Sequence, residues 1–161
     1  MALLEEISKY LQQGRAKNVK ELVQKALDEG IEPTDILNEG LLDGMGIIGE
    51  KFKNNEVYVP EVLIAARAMY AGMEIIRPIL TETGVESIGK VVIGTVKGDL
   101  HDIGKNLVKM MMEGRGLEVI DLGIDVSPER FIEAAKEHDA QIIACSALLT
   151  TTMTEMKNVV E

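Results

Sequence analysis

Over the first half of the chain, apolar residues return every three or four positions, the spacing of one face of a helix. Residues 2–13 read as a short first helix that stops at Gly14. Val19, Leu22, Val23, Ala26 and Leu27 line one face of a second, over 15–29, which Gly30 ends. Pro33 and Thr34 open a third, in which Ile36, Leu37, Leu41, Leu42, Met45, Ile48 and Phe52 recur at intervals of one, three or four. In KNNEVYVP a polar turn precedes an extended piece. Val59 stands before Pro60 and is expected in β or polyproline conformation, with Pro60 at the first helical position. A fourth helix over 60–81 turns Val62, Leu63, Ala66, Met69, Tyr70, Met73 and Ile76 inward. Four helices with short connections make a small bundle, expected over 1–86.

Near residue 89 the period changes. KVVIGTV, LEVIDLG and AQIIACSAL are short apolar runs, rich in β-branched residues, and read as buried strands. A helix over 103–114 separates the first two. Ser127, Pro128 and Glu129 supply an N-cap, a proline at N1 and an acid in the first turn of another, which runs to about 137. A last helix starts at Thr150 to Thr152 and continues through Met156. Alternating strands and helices predict a parallel sheet with right-handed crossovers, a Rossmann-like (flavodoxin-like) α/β domain over 87–161. An open doubly wound sheet usually has about five strands, so this one is expected to be incomplete at its C-terminal side.

Composition narrows the classes. Apolar residues make up 46% of the 161, with two Phe, three Tyr and no Trp, so the core must be aliphatic. Nine Met read either as helical core filler or as an adaptable surface for a large ligand or a partner. A formal charge of −10 opposes nucleic-acid binding, which rests on Lys and Arg neutralising phosphates. No apolar span reaches 18 residues, and MALLEEISKY lacks the basic and apolar regions of a signal peptide. A cytoplasmic protein that does not cross a membrane is expected. Cys145 is the one cysteine, which excludes an intrachain disulfide and a Cys-rich metal site.

Candidate chemistry gathers where the strands end, since open α/β sheets bind ligands beyond the carboxyl ends of their strands. Three loops should converge there, at 96–102, 121–127 and 145–152. The first carries Asp99, His101 and Asp102 in DLHDIG, and the third carries Ser146 and Thr150 to Thr152. Gly94, Gly98 and Gly104 permit close backbone approach. His138 falls at the opposite rim. A serine hydrolase is poorly matched, because Ser146 sits in ACSAL with no G-x-S-x-G elbow. Lys105 near a helix start invites a phosphate-loop comparison, but neither G-x-x-x-x-G-K-[ST] nor G-x-G-x-x-G occurs. A phospho-receiver domain would leave the histidine between the acids unexplained. One histidine backed by a carboxylate suits a single axial ligand to a metal already held by an organic ring. Nε2 would face the metal, and Nδ1–H would point to Asp99.

At these residues the chain resembles the corrinoid (vitamin B12) proteins of methyltransferase systems, related to the cobalamin domain of methionine synthase. The hallmark D-x-H-x-x-G is Asp99, His101 and Gly104, and S-x-L follows as Ser146-Ala147-Leu148 with 41 residues between. A third element, a Gly-Gly pair, would fall beyond residue 161. LLDGMGIIGEKFKNNEVYVPEVLIAARAM looks like the helical cap of these proteins. The likeness spans nearly all of the chain.

The resemblance implies a cobalamin held base-off and His-on, with His101 as the lower cobalt ligand and Asp99 holding it. Asp102 and Ile103 would lie against the cofactor, and Gly104 would leave room for the nucleotide tail. Ser146 would hydrogen-bond that tail, with Leu148 and Thr150 lining its channel. Thr152 replaces the serine that completes a His-Asp-Ser relay in methionine synthase. Val59 and Met69, near Tyr58, Val62 and Met73, would cover the upper face. The function implied is a methyl shuttle that takes a methyl group on cobalt from a donor-specific methyltransferase. It would pass that group to a second methyltransferase with a thiol or tetrahydrofolate acceptor, with a reductive activase as a further partner. Such a subunit is not catalytic alone. Two other readings stay open, the cobalamin-binding subunit of an adenosylcobalamin-dependent mutase and a B12-sensing regulatory domain.

Overall fold

A computed structural model describes residues 2–84 and 86–161 of the chain. They fall into two compact units, 1–86 and 87–161. In the first, α1 (Ala2–Gln12), α2 (Ala16–Asp28), α3 (33–53) and α4 (Val59–Glu82) form the bundle. Leu4, Ile7 and Leu11 of α1 meet Val19, Val23 and Ala26 of α2 and Val62, Ala66, Met69 and Ile76 of α4 in its apolar core.

Helix α3 departs from the expected regular stripe. Its stretch Ile36–Leu42 is π-helical. Ile36 and Leu41, five apart, are both fully buried, a spacing that a wider turn brings to one face. Two glycines let α1 lie close against α3. A Cβ on Gly40 would come within 3.1 Å of Ile7, and one on Gly44 within 3.0 Å of the Ser8 carbonyl oxygen. Ser8 also donates its hydroxyl to Asp43 at 3.0 Å. Helix α4 begins one residue earlier than expected. Val59 is already helical, and the backbone N–H of Tyr58 donates to the Glu61 carboxylate at 3.1 Å, so the cap forms before the proline. Leu63 is exposed, and the inner face turns instead through Ala65, Ala68 and Gly72.

The second unit holds β1 (Lys90–Thr95), α5 (Ile103–Glu113), β2 (Glu118–Asp121), α6 (Pro128–Glu137), β3 (Ile142–Ser146), α7 (Thr150–Met153) and α8 (Glu155–Val160). The strands are parallel in the order β2-β1-β3. Central β1 is buried from Val91 through Thr95 because it has neighbours on both edges. The expected single last helix is two short ones meeting at Thr154, whose hydroxyl donates back to the Thr151 carbonyl at 3.3 Å. The expected N-cap of α6 forms, with Ser127 Oγ accepting from the Arg130 N–H at 3.3 Å.

One face of the sheet packs on Phe131 of α6, gathered with Val92, Val126, Ala134 and Val159. Gly94 makes room for that ring, since a Cβ there would lie 2.9 Å from it. On the flank of β2, Lys105 of α5 is buried and donates to both oxygens of Asp121, at 2.7 and 2.8 Å. Lys109 reaches the same carboxylate at 3.3 Å. Burial pushes the Asp121 carboxyl up, but Lys105 and the Gly123 N–H outweigh it and hold the group below its usual range. No helix among the described residues is long and apolar enough to cross a membrane.

Phe131→Ala should cost about 3–5 kcal/mol of stability, the cavity and transfer penalty of a buried aromatic, measured as a fall in denaturant midpoint at unchanged slope. Because the Asp121 carboxyl is depressed on folding, its contribution is complete above its unfolded pKa and fades as pH falls through the folded one. The stability gap between wild type and Asp121→Asn should therefore be constant above about pH 5 and narrow below about pH 4.

Candidate functional site: a histidine held by a buried carboxylate

Three loops leave the carboxyl ends of the strands, and the first makes its turn at Gly98, where φ is +80° and an L side chain would be strained. Immediately after it, Asp99 is fully buried. Its Oδ1 accepts the His101 backbone N–H at 3.0 Å and lies 2.8 Å from His101 Nδ1. Its Oδ2 accepts the Leu148 N–H at 2.9 Å and the Thr152 hydroxyl at 2.7 Å. Donors from two loops thus converge on one carboxylate.

The His101 N–H, the Thr152 hydroxyl and the Leu148 N–H, in that order, hold the Asp99 carboxyl well below the usual range against the opposing effect of burial. An ionised carboxylate only accepts. The proton between it and the imidazole therefore belongs to Nδ1, and a neutral ring keeps its lone pair on Nε2. That ring is 51% exposed, so one end is fixed and the other lies at the surface.

The remaining candidates take different positions. The Ser146 backbone carbonyl accepts the Val96 N–H at 3.0 Å, while its half-buried hydroxyl makes no hydrogen bond among the described residues. Leu148 joins the Asp99 network through its backbone, and its side chain is 67% exposed. Ile103, in the first turn of α5, is 78% exposed. A Cβ on Gly104 would meet nothing within 4 Å. Asp102 precedes α5 without capping it and takes the Asn106 side-chain amide at 3.3 Å. Thr150 is exposed at the start of α7, outside the Asp99 network. In the helical unit, Val59 is half-buried in the first turn of α4 and Met69 is buried. His138 caps the C-terminal end of α6, shortly before β3 begins and so toward the strands' amino ends. Lys105, with its amine committed to Asp121, is not offered to a phosphate.

Two residues escaped the sequence reading. Thr95, the last residue of β1, is fully buried and donates its hydroxyl to the His101 carbonyl at 2.8 Å. Asp125, in the second loop, accepts the Gly98 N–H at 2.7 Å and donates its own N–H to the Asp99 carbonyl at 3.1 Å. A threonine ending a strand looks like ordinary β propensity. For Asp125 the signal was available, because the loop geometry puts it beside the first loop.

Comparison with known proteins follows the same division of the chain. Family models described as "B12 binding domain" match residues 3–77 and residues 89–161. The chain is 43% identical over 164 residues to a corrinoid protein of Desulfitobacterium hafniense (strain Y51), covering 100% of this chain and 76% of that one. It is 47% identical over 135 residues to trimethylamine corrinoid protein 1 of Methanosarcina acetivorans, covering 83% of this chain and 62% of the relative. Among solved structures, the methanol:cobalamin methyltransferase complex of Methanosarcina barkeri matches with a TM-score of 0.89 and 32% identity, over 98% of this chain and 61% of that one. A cobalamin-binding protein of Desulfitobacterium hafniense DCB-2 matches with a TM-score of 0.76 and 30% identity, over 98% of this chain and 74% of that one. The chain thus spans less than two thirds of the trimethylamine protein and of the matched chain of the methanol complex, and about three quarters of the other two. With both of its units matched and such relatives along its whole length, the chain belongs to the B12 binding domain family, among the corrinoid proteins.

Proposed function

We propose that this chain is the corrinoid-carrying subunit of a methyltransferase system, with His101 as the lower axial ligand of the cobalt. One observation carries the reading, the 2.8 Å contact between His101 Nδ1 and a buried, acceptor-only Asp99, which leaves Nε2 as the donor at the rim. When bound, the corrinoid would supply a cobalt centre able to take up and release a methyl group, chemistry that no side chain here can perform.

The residues present fit such a group. A corrin ring occupies the equatorial positions of its metal, so the protein needs one nitrogen and space, not a ligand cluster. His101 offers that nitrogen. Open space beside Gly104 and the exposed side chains of Ile103 and Leu148 offer an apolar rim for a large ligand. The Ser146 hydroxyl, which makes no hydrogen bond among the described residues, is available to a polar atom of the nucleotide tail. Asp99 fixes the orientation of the imidazole and keeps its Nδ1 engaged, the usual work of a carboxylate behind a metal-bound histidine. Thr152 in turn fixes Asp99.

The partners proposed are a methyltransferase that delivers the methyl group, a second that removes it, and a reductive activase that restores the low-valent cobalt. The relatives named for methanol and methylamines support a one-carbon donor of that class. In the helical unit, Val59 is proposed as a contact to the corrinoid and is the one to test first. Met69, being buried, would support that contact from within the bundle.

The unloaded protein, mixed with hydroxocobalamin and freed of excess, should retain it and show the visible spectrum of a histidine-ligated corrinoid. His101→Ala should lose that spectrum, and Asp99→Asn should weaken retention. Equal retention and identical spectra in wild type and His101→Ala would overturn the ligand assignment.

A further inference from the structure

The backbone of His101 is gripped at both of its polar ends. Its N–H is taken by Asp99 Oδ1 at 3.0 Å, and its carbonyl accepts the Thr95 hydroxyl at 2.8 Å. The two grips differ in origin. Asp99 belongs to the same loop and moves with it. Thr95 belongs to β1, which pairs with β2 on one side and β3 on the other, its own position lying opposite Ser146.

A β-branched side chain in a strand has little freedom about χ1. The Thr95 hydroxyl is therefore aimed by the sheet before the loop arrives. The side chain is fully buried, so water is a poor substitute for it. Loss of the hydroxyl would leave the His101 carbonyl without that donor at the point where the chain turns into α5.

We infer that Thr95 is a positioning residue, whose hydroxyl ties the backbone of His101 to the central strand and so sets where Nε2 stands. The inference rests on the reading of His101 as the cobalt ligand for its functional meaning, but its structural content holds in the unloaded protein. A ligand that must follow a metal through changes of coordination needs one fixed reference point. The strand end supplies that point, while the ring turns only about the bonds that Asp99 leaves free.

Hydrogen exchange of the His101 backbone amide in the unloaded protein tests this, with Thr95→Val, Thr95→Ser and Phe131→Leu beside wild type. Valine keeps the shape and removes the hydroxyl, while serine keeps the hydroxyl and loses the stiffness. Phe131 packs against the face of the sheet onto which Gly94 opens, and successive strand residues face opposite ways. Phe131→Leu thus lowers stability without touching the tie. Thr95→Val should speed exchange of that amide by about tenfold, on the scale of one buried hydrogen bond. Thr95→Ser should recover most of the protection, and Phe131→Leu should leave it unchanged. In the hydroxocobalamin-loaded protein, Thr95→Val should weaken binding by about fivefold on the same scale, again with rescue by serine.

Protection that survives in Thr95→Val, or that falls equally in Phe131→Leu, would overturn the inference, as would failure of serine to rescue. A His101→Ala protein with the wild-type spectrum would count against the ligand reading alone, because the amide measurement in the unloaded protein judges Thr95 by itself.

Discussion

Everything at the strand ends depends on one buried carboxylate that can only accept hydrogen bonds. Asp99 receives the His101 amide, the His101 ring, the Leu148 amide and the Thr152 hydroxyl. Burying a charge is expensive unless it is met by donors on all sides. Here the first and third loops both supply donors, so the geometry of the two loops and the ionisation of Asp99 are one fact. Removing the charge would release both loops together. Keeping it leaves the imidazole no choice of tautomer, and the free nitrogen is the outward one.

The sheet explains why this carboxylate can be placed so firmly. β1 is the middle strand, buried along its length, and its last residue holds the carbonyl of the histidine. The second loop ties back through Asp125 to the backbone on both sides of the Gly98–Asp99 peptide. Further out the surface is apolar and open, at Ile103 and Leu148. A rigid donor beneath a roomy rim is what a large, preassembled metal complex requires. A protein that builds its own metal site would instead need several ligands converging on one point.

Much of this was legible in the sequence because it is local. The change of period near residue 89, the Ser127-Pro128 cap and the DLHDIG loop are all written within a few residues. The π-helical stretch was not, since apolar residues one, three and four apart suit an α-helix equally well, and the close approach of Ile7 and Ser8 comes from another helix. Lys105 invited a phosphate-loop comparison that the missing motifs already spoke against, but its true partner, Asp121, lies 16 residues away and was not legible. Leu148, whose side chain is exposed, also contributes a backbone N–H to Asp99 that the sequence did not reveal. Thr152 was placed by resemblance to the family, and spacing alone would not have aimed it at Asp99. What the sequence withheld was long-range pairing, which no window of neighbours contains.

The central proposal is that a histidine nitrogen of this protein binds the cobalt from below. Electron paramagnetic resonance of the bound cobalt(II) corrinoid answers that directly when the protein is made with 15N-labelled histidine and the cofactor is left unlabelled. A nitrogen splitting that changes from triplets to doublets on labelling, and disappears in His101→Ala, is the predicted result. Triplets that persist in the labelled protein would place the cofactor's own base on the metal and contradict the account.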